Sequence, residues 1–176
     1  TNVLPVDLDL NEDVDLVLDR NFLGYAGDLS RRAIERLRVD SLAYISTTLL
    51  LDLQAAFHEQ GLTDVEVKLE EIKRENEDPV VLWVYYPSIV AGTEYVQDRV
   101  KLEIGCRSLT QPQSHRTIAS YVSQVFSKAK FCDAAIKIPC VNPERTYLEK
   151  LFLLHEEFQK PPEKIRVERL SRHLYD

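Results

Sequence analysis

Two aspartates two positions apart, Asp13 and Asp15, sit in the run Asn11-Glu12-Asp13-Val14-Asp15-Leu16-Val17-Leu18. In an extended chain both carboxylates fall on one face, and Val14, Leu16 and Leu18 fall on the other. Carboxylates held side by side repel each other, and a divalent cation relieves that repulsion. Hard cations such as Mg²⁺ take oxygen ligands, usually one or two carboxylates together with substrate phosphates. A third carboxylate, Glu103, lies on a second alternating run in which Val100, Leu102 and Ile104 share one face and Arg99, Lys101 and Glu103 the other. The plainer reading is a half-buried strand with an acidic wet face, since Asp7 and Asp9 repeat the period with no motif around them.

Two more groups of residues bear on chemistry. Lys150 stands about 90° around its helix from the centre of the apolar stripe, at roughly 100° per residue. That place suits a surface lysine with a buried stem or a cation held at a cleft. Ser171 to Asp176 gathers Arg172, His173, Tyr175 and Asp176 into a short helical stretch. Each of these, taken alone, also reads as a surface ion pair, an edge lysine or a helix end.

The elements that must position these residues follow from periodicity. Asn21 to Gly27 is a loop, and Asp28 or Ser30 caps a helix running to about Gln60, where Gly61 ends it. The basic first turns of that helix either face a polyanion or form a solvated surface. Val65 to Leu69 alternates as a strand, Asn76 to Pro79 is a turn, and Val80 to Tyr86 is a continuous apolar, more buried strand. Asp98 to Gly105 is the strand of Glu103. His115 to Lys128 is expected to be a short amphipathic helix and Ala134 to Pro139 a strand. Asn142-Pro143-Glu144 opens a helix to about Gln159 with Tyr147, Leu151, Leu154 and Phe158 along its stripe. Pro161-Pro162 breaks it, and a last helix covers Ile165 to Asp176. This order is α+β with a helical C-terminal part.

At 176 residues the chain suits one domain, or one domain with a helical appendage. Its apolar fraction of 44% and charged fraction of 29% are those of an ordinary globular protein. No apolar run approaches the roughly 18–20 residues of a membrane span, and no signal-peptide pattern opens the chain. Cys106, Cys132 and Cys140 are widely spaced without a zinc-ligand pattern, so they read as reduced thiols of a cytoplasmic protein. A net charge of −7 argues against broad coating of nucleic acid but leaves room for a local basic groove. The chain has no methionine and starts just before its acidic strand, so we expect a fragment of a longer protein.

The acidic run, the loop Asp19-Arg20-Asn21-Phe22-Leu23-Gly24 with Gly27-Asp28-Leu29-Ser30, and Val100-Lys101-Leu102-Glu103-Ile104-Gly105 together resemble the nucleotidyltransferase family of AbiEii-type toxins. Pro143 to Lys150 and Glu168 to Asp176 resemble its paired Lys and Asp motifs. The resemblance runs through nearly the whole chain in the right order. It implies a polymerase-β-like nucleotidyltransferase core over residues 1–140 and a helical C-terminal part over 141–176. It also implies a Mg²⁺-dependent transfer of a nucleotidyl group from a nucleoside triphosphate to an acceptor, with tRNA one proposed acceptor, in the toxin of a toxin–antitoxin or phage-defence pair. Carried over by position, Asp13, Asp15 and Glu103 hold metal, with Glu103 alternatively the base for the acceptor hydroxyl. Lys150, with Lys101 and Arg172, faces the nucleotide, and Asp176 orients Lys150 or the acceptor. The family's Gly-Gly/Ser triphosphate loop lies upstream of the acidic strand, whereas no glycine precedes Gly24 here. Asn11 also replaces the serine usual before the Glu-Asp pair. A catalytically inactive nucleotide- or protein-binding relative, and a transferase acting on a small molecule such as an antibiotic, are the competing expectations.

Overall fold

The computed structural model describes residues 13–88, 97–107, 112–129 and 135–165, with the backbone alone for Asp13, Tyr121 and Val122. These residues divide between two compact units, 1–109 and 110–176. The expected boundary at 140 falls within the last paired residues of β6 (Ile136–Val141), ahead of α4 (Pro143–Phe158), and both elements lie in the second unit.

The first unit is a four-stranded sheet with one helical layer. Its strands are β1 (Asp13–Val17), β2 (Glu66–Leu69), β3 (Val80–Tyr85) and β4 (Arg99–Gly105), in the spatial order β1-β4-β3-β2. β1 runs parallel to β4, and the other two pairings are antiparallel, so the sheet is mixed and the α+β expectation holds. The helical layer is α1 (Arg31–Tyr44), a π-helical turn at Ile45–Leu49 and α2 (Leu50–Glu59) in one continuous run. Ser30 caps it, its hydroxyl accepting the Ala33 N–H at 3.3 Å. The Thr47 hydroxyl donates to the Ala43 carbonyl at 2.7 Å, which helps accommodate the extra residue of a π-bulge. Ile45, the first residue of that turn, is fully buried.

The core lies between this helix and one face of the sheet. Ile45 packs with Val65, Val67, Val80, Leu82, Val84 and Ile104. β3 therefore buries alternate residues rather than its whole length: Val80, Leu82 and Val84 point inward, and Val81, Trp83 and Tyr85 point to the opposite face. Gln54 ties the layers together. Its amide donates to the Val65 carbonyl and accepts from the Val67 N–H, both at 2.8 Å.

β1 departs from expectation. Val14 and Leu16 are 40% and 42% exposed, because β1 is the edge strand and the helix covers the central ones. Leu18, just beyond the strand, does pack against the core.

In the second unit β5 (Gln113–Ile118) pairs antiparallel with β6 along all six residues. The helix expected over His115–Lys128 is thus strand over its first four residues, and only α3 (Tyr121–Val125) is helical. The Ser120 hydroxyl accepts the Ser123 N–H at 3.0 Å and starts the helix there. The strand expected over Ala134–Pro139 is shifted to Ile136–Val141. Pro139 fits because each strand of a two-stranded sheet has an open edge.

α4 follows β6, with Pro143 at its first turn as anticipated. Its buried positions are Leu154 and Glu157, while Tyr147, Leu151 and Phe158 of the expected stripe are 58%, 38% and 61% exposed. The last helix expected from Ile165 lies, beyond Ile165 itself, outside the described residues, as does Cys132.

Candidate active site

The face of the first unit's sheet that points away from the helix carries the candidate chemistry. Residues paired across a ladder share a face, so register alone shows what is assembled. Asp15 pairs with Glu103 and Asp13 with Lys101. On the other side of β4, Glu103 pairs with Val81, Lys101 with Trp83 and Arg99 with Tyr85. Trp83 and Tyr85 in turn pair with Lys68 and Glu66 of β2. One row across all four strands thus reads Lys68, Trp83, Lys101, Asp13, and the next reads Val81, Glu103, Asp15.

Asp15 and Glu103 are one strand spacing apart, about 4.8 Å. Asp15 is exposed, and the Glu103 side chain is 32% exposed. The Lys101 ammonium donates to the Glu103 carboxylate from two residues away on the same strand, a pair the strand period produces directly. A parallel edge strand is what makes this cluster possible. It brings the first acidic run of the chain alongside the third carboxylate, with both sets facing the same way.

The loop that follows β1 is fixed to α1. Asp19 accepts from the Asn21 N–H at 2.9 Å, and the Arg20 guanidinium donates to the Gly27 carbonyl at 2.9 Å. Gly24 and Gly27 have φ of +83° and +68°, which other residues adopt at a cost. The Tyr25 hydroxyl donates to Asp40 of α1 at 2.5 Å, and Phe22 meets Tyr44 edge-on at 5.2 Å. The hydrogen bond to Asp40 holds the Tyr25 phenol above its ordinary pKa. These contacts anchor the end of β1 and, with it, the position of Asp15.

At the same end of the sheet, Asp78 ties the start of β3 to the end of β4. Its carboxylate accepts the Cys106 N–H at 2.9 Å and pairs with the Arg107 guanidinium at 2.5 Å.

The chain matches one family along almost its full length. Residues 11–176 fit the family described as nucleotidyl transferase AbiEii toxin, type IV TA system. The chain belongs to that family. No curated protein and no solved structure matches it. The family is one of nucleotidyl transferase toxins of type IV toxin–antitoxin systems, which implies a nucleotide substrate and an antitoxin partner. Among the described residues no helix is long and apolar enough to cross a membrane.

Within this AbiEii-family chain, Asp13, Asp15, Lys101 and Glu103 come together on β1 and β4. Lys150 belongs to α4 in the second unit, on the side of the helix that also carries the buried Leu154 and Glu157. With roughly 100° per residue, Lys150 lies within about 40° of both, closer to the buried side than the hydropathy stripe indicates. Arg172 and Asp176 lie outside the described residues.

A metal can be tested against the donors. Asp13, Asp15 and Glu103 offer carboxylate oxygen only, which fits Mg²⁺ and not the nitrogen and sulfur preference of zinc. Among the described residues no three His, Cys, Asp or Glu side chains form a ready metal cluster, and the side chain of Asp13 is not among those described.

The basic first turns of α1 do not share this face. Arg31, Arg32 and Arg36 are exposed on the helical layer, where an open cavity of about 590 Å³ lies beside Arg32, Arg36, Asp40 and Asn76. Glu35 there is held below the ordinary carboxylate pKa by Asn76, which donates at 2.5 Å, and by Arg38.

Two aromatic residues beside the site escaped the sequence reading. Trp83 and Tyr85 stand within a run of apolar residues, so their alternation has no polar partner to reveal it. The legible signal was the reversed alternation of the strands on either side, Glu66/Lys68 and Arg99/Lys101/Glu103.

Proposed function

We propose that this AbiEii-family chain transfers a nucleotidyl group from a nucleoside triphosphate to an acceptor hydroxyl, with Mg²⁺ held by Asp13, Asp15 and Glu103. The observation that carries this reading is the register pair Asp15–Glu103 on adjacent parallel strands, with Asp13 two residues upstream of Asp15. Bound there, the metal supplies charge neutralisation at the transferred phosphorus. The acceptor oxygen forms a bond to the α-phosphorus as the bond to pyrophosphate breaks. Glu103 serves as the third metal ligand or, in place of that, as the base that accepts the acceptor's proton, and the Lys101 ammonium at its carboxylate holds it in place. Lys150, Lys101 and Arg172 neutralise triphosphate charge, and Asp176 orients Lys150 or the acceptor. Positioning and charge neutralisation of this kind account for most of the catalysis in phosphoryl transfer.

The fold that would carry this chemistry is a polymerase-β-like core over residues 1–140 with a helical part over 141–176. The protein would act in the cytoplasm as the toxin of its pair, with tRNA the acceptor suggested by family resemblance.

Calorimetric titration of each nucleoside triphosphate with Mg²⁺ into the full-length protein tests the site. One nucleotide should bind only with metal, and an Asp13→Ala/Asp15→Ala variant that folds normally should lose that binding. Equal binding by the variant, or none by the intact protein, would remove the metal-site reading.

A further inference from the structure

The row of residues that runs from the carboxylates toward β2 is not explained by metal or triphosphate binding. The Arg99 guanidinium lies 3.7 Å from the centroid of the Trp83 ring, at stacking distance, and 5.9 Å from that of Tyr85. Its Nη1 also donates to the Tyr85 hydroxyl at 3.4 Å. The Lys68 ammonium sits 5.2 Å from the Tyr85 centroid and pairs with Glu66 at 2.9 Å. Two ring–cation pairs therefore follow one another across β4, β3 and β2, on the face that carries Asp15 and Glu103. The Lys68 side chain is 54% exposed, so this row reaches solvent at its far end.

A strand of nucleic acid has the same alternation. Each nucleotide offers a flat base and a phosphate, and unpaired bases stack on aromatic rings and on arginine guanidinium planes. Arginine suits this place because one face of its planar group can rest on Trp83 while the other takes a base. A nucleoside triphosphate fits less well. It has one base, and its phosphates gather at the metal instead of extending two strands away. A duplex fits less well again, since its bases are already stacked on one another.

We infer that the Trp83–Arg99–Tyr85–Lys68 face binds a single-stranded segment of the acceptor nucleic acid and leads its terminal hydroxyl toward Glu103 and Asp15. The direction of the strand rests on the proposed transferase reading, whereas the binding itself does not. Arg99 carries the terminal base, Lys68 takes a phosphate farther back along the strand, and Lys101 stands between them and the carboxylates.

Trp83 is the chain's one tryptophan, so its emission reports directly on this face. The full-length protein is titrated with a single-stranded oligoadenylate of six nucleotides, with a duplex of the same length, and with ATP and Mg²⁺. The hexanucleotide should change Trp83 emission to saturation while the duplex and ATP do not. Arg99→Gln and Lys68→Ala should each weaken hexanucleotide binding by about fivefold or more, in line with the loss of one stacking or phosphate contact. If Arg99→Gln does not fold, the exposed Lys68→Ala carries the comparison alone.

An emission change with ATP only would assign the rings to the triphosphate's base, and no change with any probe would leave a purely structural stack. Either result overturns the inference. Transfer to an acceptor without hexanucleotide binding would remove this surface and keep the proposed reaction. Hexanucleotide binding by a protein with no transfer activity would do the reverse.

Discussion

Among single residues, Cys106 shows how the sheet's end is sealed. It follows β4 directly, is 1% exposed, and its N–H is taken by Asp78. Burial pushes its thiol above the ordinary value, and the nearby Asp78 carboxylate adds to the effect. A thiol of the unfolded chain titrates near about 8.5. Below that pH both states keep the proton, and Cys106 adds no pH dependence. Above it the unfolded chain releases the proton while the native protein retains it, so stability falls as pH rises toward the native value. Urea midpoints measured at about pH 7.5 and 9.5 should therefore drop more for the natural sequence than for Cys106→Ala. Equal drops would show that the thiol ionises as freely in the native state as in the unfolded one. The residue scale also shows what sequence can and cannot reveal. That Asp15 and Glu103 share the polar face of the sheet was legible because each stands in a strand whose two faces differ in polarity. The side of α4 that carries Lys150 was misjudged, because its buried positions are Leu154 and Glu157, and an ion-paired glutamate does not look apolar.

At the scale of elements, the helix and the sheet are joined by one amide as well as by the core. Gln54 satisfies the carbonyl of Val65 and the N–H of Val67, both buried residues flanking the start of β2. Gln54→Ala leaves both groups without that partner, and unmade bonds of this kind cost about 1–3 kcal/mol. Urea denaturation should register a loss of that size with an unchanged slope. A loss well under 0.5 kcal/mol would mean that water replaces the amide at little cost. The elements of the first unit were readable because helix and strands have distinct periods. β5 was not: Gln113, Ser114, His115, Arg116 and Thr117 form a polar run, and the strand exists because β6 pairs with it residue by residue. Pairing is a property of two segments, and a single segment's pattern does not carry it.

For the whole molecule, charge limits how nucleic acid can be held. A net charge of −7 supplies no general attraction for a polyanion, so binding must rest on the few cations of the sheet face. With Lys68 and Lys101 as the phosphate contacts, the logarithm of affinity for the hexanucleotide should fall against the logarithm of salt with a slope of about −1.4. A much steeper slope would locate binding on other cations, such as those of α1. The same sheet has a consequence in time. Its carboxylate pair joins the first strand of the unit to the last, β1 to β4, with the helix and two strands lying between them in the chain. Non-local parallel pairings of this kind form late, after the intervening segment has closed its loop. Asp15 therefore meets Glu103 only once the chain through Gly105 has been made and folded. A polypeptide still short of β4 on the ribosome carries both aspartates without the carboxylate that pairs with them, so under the proposed transferase reading unfinished chains would have no transfer activity.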